Sequence, residues 1–138
     1  MRIAAEAIEI GPGQSQGELL VRLVGTPAQG PALLEVAVEL PSGLVLPAAN
    51  RLAAATALPT LDGDFVANRY VVLCGDAENS DAAILQPGDL FRLRVQPASP
   101  RTAGSYTVRF VSLRGASRNG IDDVLVDSAP LTTTVVVR

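Results

Sequence analysis

At 138 residues, 48% apolar and 18% charged with a formal net charge of −3, the chain is too hydrophobic for disorder and suits one domain, residues 1–138, around one core. All eleven basic residues are arginine, and there is no histidine, lysine or tryptophan. The commonest general base, Schiff-base amine and neutral metal ligand are therefore missing; no catalytic residue is assigned, and the chain reads as a non-enzyme that works through a surface.

Ten prolines and twelve glycines are scattered rather than pooled, which punctuates many short strands. The opening Met1-Arg2-Ile3-Ala4-Ala5-Glu6 has no unbroken apolar stretch, so no signal peptide is expected, and a complete chain of this kind would be cytoplasmic. No apolar run nears the roughly 18 residues of a membrane span.

In chain order, Glu18–Val24 reads as a strand ending at Gly25. Leu34-Glu35-Val36-Ala37-Val38-Glu39-Leu40 alternates cleanly: Leu34, Val36, Val38 and Leu40 face one way, Glu35, Ala37 and Glu39 the other. Pro41-Ser42-Gly43 then signals a turn. The alanine-rich stretch Pro47–Leu58 favours a helix capped at Asn50 and stopped by Pro59, with a strand or loop as the other reading. Tyr70–Cys74 is nearly all apolar and suits a central strand covered on both faces. Asp89–Val95 should bury Phe91, Leu93 and Val95 and expose Arg92 and Arg94. Ser105–Val111 alternates again, Val124–Val126 is a short strand, and Thr132–Val137 closes the chain with β-branched residues. About eight or nine strands without a strong long helix define an all-β, jelly-roll-like β-sandwich.

Candidate chemistry is thin. Arg92 and Arg94 read as a solvated strand face, and with no arginine cluster nucleic acid is not expected as a partner. Cys74 reads as a small buried hydrophobe. The acidic groups Asp62 with Asp64, Asp76 to Asp81, and Asp122, Asp123 with Asp127 lack the spacing of a helix–loop–helix calcium site and read as solvated turns, so neither a metal nor a cofactor is assigned. Gly11-Pro12-Gly13 lacks the strand–helix context of a phosphate loop. Of five aromatic residues, only Tyr106 with Phe65 could form a pair for a sugar.

Four blocks carry a resemblance. Leu34 to Leu44 resembles the early strand of the cohesin family, an alternating apolar run leading into a turn and a leucine. Tyr70 to Asn79 resembles the central strand ending in small and acidic residues, and Ile84 to Leu93 the glycine turn into the next strand. Ala103-Gly104-Ser105-Tyr106-Thr107-Val108 resembles the opening of the penultimate hairpin. Their order and spacing, over roughly residues 15–137, carry the match. The chain departs from the pattern at Leu40-Pro41, where the family commonly has an aromatic residue and an aspartate.

The resemblance implies a jelly-roll sandwich shared with related carbohydrate-binding modules. It implies recognition of a calcium-loaded dockerin-like protein on one open sheet face, in scaffold assembly outside the cell or at its surface. Carried over by position, it implies partner contacts at Glu35, at Asp76 and Glu78, and at Ile121. Two other functions stay open beside it. One is a structural subunit that polymerises by adding a strand from Ile3–Ile10 or Thr132–Arg138 to a neighbour. The other is a carbohydrate-binding module of polysaccharide-degrading machinery.

Overall fold

The computed structural model describes residues 2–25, 33–75, 85–116, 123–124 and 131–138. Apolar–polar alternation with a period of two makes the chain extended almost throughout. Among the described residues twelve strands result: β1 (Arg2–Ala5), β2 (Ile8–Ile10), β3 (Gly17–Val24), β4 (Leu33–Glu39), β5 (Leu44–Val45), β6 (Leu52–Ala54), β7 (Thr60–Val66), β8 (Arg69–Gly75), β9 (Gly88–Pro97), β10 (Gly104–Ala116), β11 (Asp123–Val124) and β12 (Leu131–Val137). The all-β expectation holds, with more strands than the eight or nine foreseen. The additional ones are two to four residues long or, in β7, carry Asp-Gly-Asp, a triplet with poor strand propensity.

The strands form two sheets. The smaller runs β1–β3–β9–β5, with β6 also on β9; the larger runs β2–β12–β10–β4–β8–β7, with β11 on β10. Pairings are antiparallel except β2 with β12, which is parallel. The inner faces meet in one core. Leu19, Val21, Leu23, Phe91, Leu93 and Val95 come from the smaller sheet; Leu34, Val36, Val38, Tyr70, Val72 and Cys74 come from the larger. At about 25 cal/mol per Å² of apolar surface removed from water, this layer is the main stabilising term.

Two expectations are corrected. Residues 47–58 form no helix: the chain bends at 48–50 and then enters β6, with Leu52 opposite Leu93 and Ala54 opposite Phe91. Arg94 N–H donates to the Arg51 carbonyl at 2.9 Å and Ala55 N–H to the Leu90 carbonyl at 3.0 Å. These bonds serve the outer side of β9, and they outweigh an alanine preference worth only tenths of a kcal/mol per residue. Asn50 is not a helix cap but sits at φ 58.

The strand at Tyr70–Cys74 lies inside its sheet, between β4 and β8's other neighbour β7, yet is fully covered on one face only. Tyr70, Val72 and Cys74 are buried; Val71 and Leu73 are half-buried on the open face.

Both terminal segments are paired within the domain, with β1 and β2 outermost in their sheets. β12 is held between β2 and β10, and the N-terminal segment pairs with both sheets, β1 on β3 and β2 on β12. The ends are fastened further by Arg101. Its guanidinium donates to the carbonyls of Gly11 at 2.8 Å, Arg138 at 2.9 Å and Gln14 at 2.5 Å. Arg138 in turn donates to Glu9 Oε1 at 2.8 Å and holds that carboxyl below its ordinary range.

Candidate functional site: the open face of the larger sheet

Side chains on β4 that do not enter the core must leave from the outer face, and strand pairing aligns them with their neighbours in rows. One row brings Arg109 of β10 opposite Glu39 of β4, and Glu39 beside Arg69 of β8, which pairs with Val66 of β7. Both guanidinium groups lie 3.7 Å from the Glu39 carboxylate, and both side chains are about half exposed. The next row is short: Ser112, Ala37, Val71 and Asp64. The third aligns Arg114, Glu35, Leu73 and Asp62 by register.

The middle row is low because Ala37 is a single methyl group, 5% exposed, beside half-buried Val71. Long charged side chains stand on either side. The result is an open depression of roughly 850 Å³, floored by Ala37 and Val71 and walled by Glu35, Glu39 and Arg69. The β7–β8 turn at Ala67 and Asn68 adds to the rim beyond Arg69, with Ala67 at φ 54.

The opposite sheet has a different character. Its outer charges are held in ion pairs: Glu18 lies 3.1 Å from Arg94 and 3.7 Å from Arg92, and Arg22 lies 3.1 Å from Asp89. Arg92 and Arg94 therefore belong to ion pairs on a solvated face, worth a few tenths to about 1 kcal/mol each.

Of the residues the sequence nominated for partner contact, Glu35 lies on the open face and walls the depression. Asp76, Glu78 and Ile121 fall outside the described residues. Arg69, Val71 and the β7–β8 turn were not nominated. Arg109 was within reach, because it alternates outward in Ser105–Val111; Arg69 and Val66 needed the β7–β8 hairpin, whose first strand the sequence does not announce. Asp62 and Asp64 spend an oxygen each on backbone, accepting from Gly63 N–H at 2.9 Å and Phe65 N–H at 2.8 Å. No group of three potential metal ligands occurs among the described residues.

The nominated aromatic pair is not a platform. Phe65 meets Tyr70 edge-on, ring centres 5.0 Å apart, with the Arg51 guanidinium 5.1 Å from Phe65 and 5.6 Å from Tyr70. Tyr106 instead lies against Gly43, and its hydroxyl donates to the Thr102 carbonyl at 2.6 Å. Burial raises the Tyr70 phenol above its ordinary range. It also pushes the Cys74 thiol up to about 12, which leaves no reactive thiolate near neutral pH.

The architecture is thus a two-sheet jelly-roll sandwich with one ion-paired face and one open, furrowed face. No family model and no curated protein matches the sequence. Solved structures do match. The cohesin in the OlpA–Doc918 complex from Clostridium thermocellum is 17% identical, with 99% of this chain and 98% of that one covered and a TM-score of 0.73. The seventh ScaB type I cohesin from Pseudobacteroides cellulosolvens is 13% identical over 99% and 91% of the two chains, TM-score 0.74. A non-cellulosomal cohesin from the archaeon Archaeoglobus fulgidus is 18% identical over 97% and 89%, TM-score 0.66. The fold of this chain is the cohesin fold.

Proposed function

We propose that the chain is a non-catalytic recognition module that receives a dockerin-like protein on the open face of the larger sheet. The single observation behind this reading is the furrow over Ala37 and Val71. Glu35 and Glu39 stand four residues apart on β4, about 13–14 Å along the strand. A helix with its side chains is about 10–12 Å across, so one helix can lie across the strands between the two charged banks. Small floor residues permit close approach.

The banks differ in sign. Arg69 and Arg109 share one carboxylate and leave the first bank positive, whereas Glu35 and Asp62 weight the third row toward negative charge. The matching helix is acidic along one flank and basic along the other, an arrangement that sets specificity and register more than raw affinity. Similar cohesins were solved in complex with dockerins from Clostridium thermocellum. A module of this kind serves scaffold assembly outside the cell or at its surface.

The test is calorimetric titration of the chain with a panel of calcium-loaded dockerin modules. Binding by at least one, lost in Val71→Arg and kept in Glu18→Ala on the opposite sheet, supports the reading, with circular dichroism confirming that both variants fold. Absence of binding across the panel, or binding indifferent to Val71→Arg, overturns it.

A further inference from the structure

Among the described residues six strands pair on one side only, and they are unequal. β1, β2, β5, β6 and β11 have two to four residues each; β7 has seven. A long free edge offers a row of backbone N–H and C=O groups to another strand. Here it lies beside the most exposed large apolar side chains among the described residues, Phe65 at 50% and Val66 at 59%.

The hairpin geometry shows which groups are free. Val66 pairs with Arg69 across the two-residue turn Ala67-Asn68. The closing pair of such a hairpin is hydrogen-bonded, and bonded pairs then alternate along the ladder. Residues 60, 62, 64 and 66 thus bond to β8, and the N–H groups of Leu61, Gly63 and Phe65 face away from it. Two of those three are already taken: Asp62 Oδ1 accepts from Gly63 and Asp64 Oδ1 from Phe65. The carboxylates that cap the edge also set two negative charges about 7 Å apart along it.

We propose that Asp62 and Asp64 are edge guards that keep β7 from pairing with β7 of a second copy. The outward groups fix how that pairing would run. An antiparallel β7–β7 ladder centred on Gly63 sets Gly63 opposite Gly63 and Leu61 opposite Phe65. Asp62 of each copy then stands opposite Asp64 of the other, in the close non-hydrogen-bonded pairs whose Cα atoms are about 4.5 Å apart. Like charges directly opposite oppose pairing, so the guard acts against self-association through this edge. Without it, the edge would extend the larger sheet continuously from one copy into the next.

The experiment is light scattering behind size exclusion on the full chain over a broad concentration range. The Asp62→Ala/Asp64→Ala double variant is expected to rise toward twice the mass of the wild type as concentration increases. Adding Phe65→Pro should return it to the wild-type mass, because proline removes an outward N–H without touching the β8 ladder. A thermal melt confirms that each variant is folded. A double variant that tracks the wild type at every concentration overturns the proposal, as does added mass that survives Phe65→Pro.

Discussion

The ring of Tyr106 lies on the bare Cα of Gly43: a Cβ built on that glycine would overlap the ring at Cε1. Strand β10 is thereby locked to the turn between β4 and β5, next to the end of the open face. Gly63 stands in the same relation to Tyr70, where an added Cβ would strike the phenol oxygen. Tyr70 thereby covers a glycine inside β7 that strand propensity alone would not favour.

Gly43→Ala should therefore destabilise the fold by about 1–3 kcal/mol through overpacking against Tyr106. Chemical denaturation measures it. In a Gly43→Ala/Tyr106→Ala double variant the glycine change should cost much less than it does alone, because its obstacle has gone.

Arg101 ties four carbonyls, those of Ile10, Gly11, Gln14 and Arg138, to one guanidinium. Because the side chain is solvent-exposed, Arg101→Ala should cost only about 1–2 kcal/mol. Arg101→Lys should recover a fraction of this, since an ammonium lacks the planar fork. Hydrogen exchange should locate the loss at β2 and β12, with β4 and β8 unaffected.

Cys74 titrates at 9.0 when unfolded and about 12 in place. A thiol whose folded value is raised contributes stability that is fully present below pH 9.0 and is lost as pH rises toward 12, at up to about 1.4 kcal/mol per pH unit. Denaturant midpoints taken upward from neutral pH should fall less steeply from pH 9.0 in Cys74→Ala, although the variant is less stable at neutrality. Native Cys74 should also resist thiol-specific reagents until the chain unfolds.

Ala67 holds φ 54 in the turn on the rim of the depression. A left-handed conformation costs a non-glycine residue about 1–2 kcal/mol, partly offset by the greater unfolded entropy of glycine. Ala67→Gly should raise stability by about 0.5–1 kcal/mol, read from the thermal midpoint.

The fold was legible wherever one strand face is buried. Leu34–Leu40 and Asp89–Val95 carry a strict alternation because their apolar side chains all enter one core. β6 and β7 were illegible for the opposite reason. β6 exists because β9 needs a partner along its outer side, a demand made some 40 residues downstream of Leu52. β7 is an edge strand whose Asp-Gly-Asp reads as a turn until Tyr70 is seen to cover Gly63. The open face followed the same division: Glu35 could be named from β4 alone, but the furrow depends on Arg69 and Val71, which reach it only through cross-strand register.

The parallel contact between β2 and β12 has a mechanical consequence. Tension between the two ends of the chain would run along β1, β2 and β12 rather than across them, because β12 leaves the sheet beside Ile10 in the direction in which β2 travels. The ladders holding both ends are then loaded in shear, and their hydrogen bonds must give way together instead of unzipping one by one. A domain built in this way resists being pulled open along its own length.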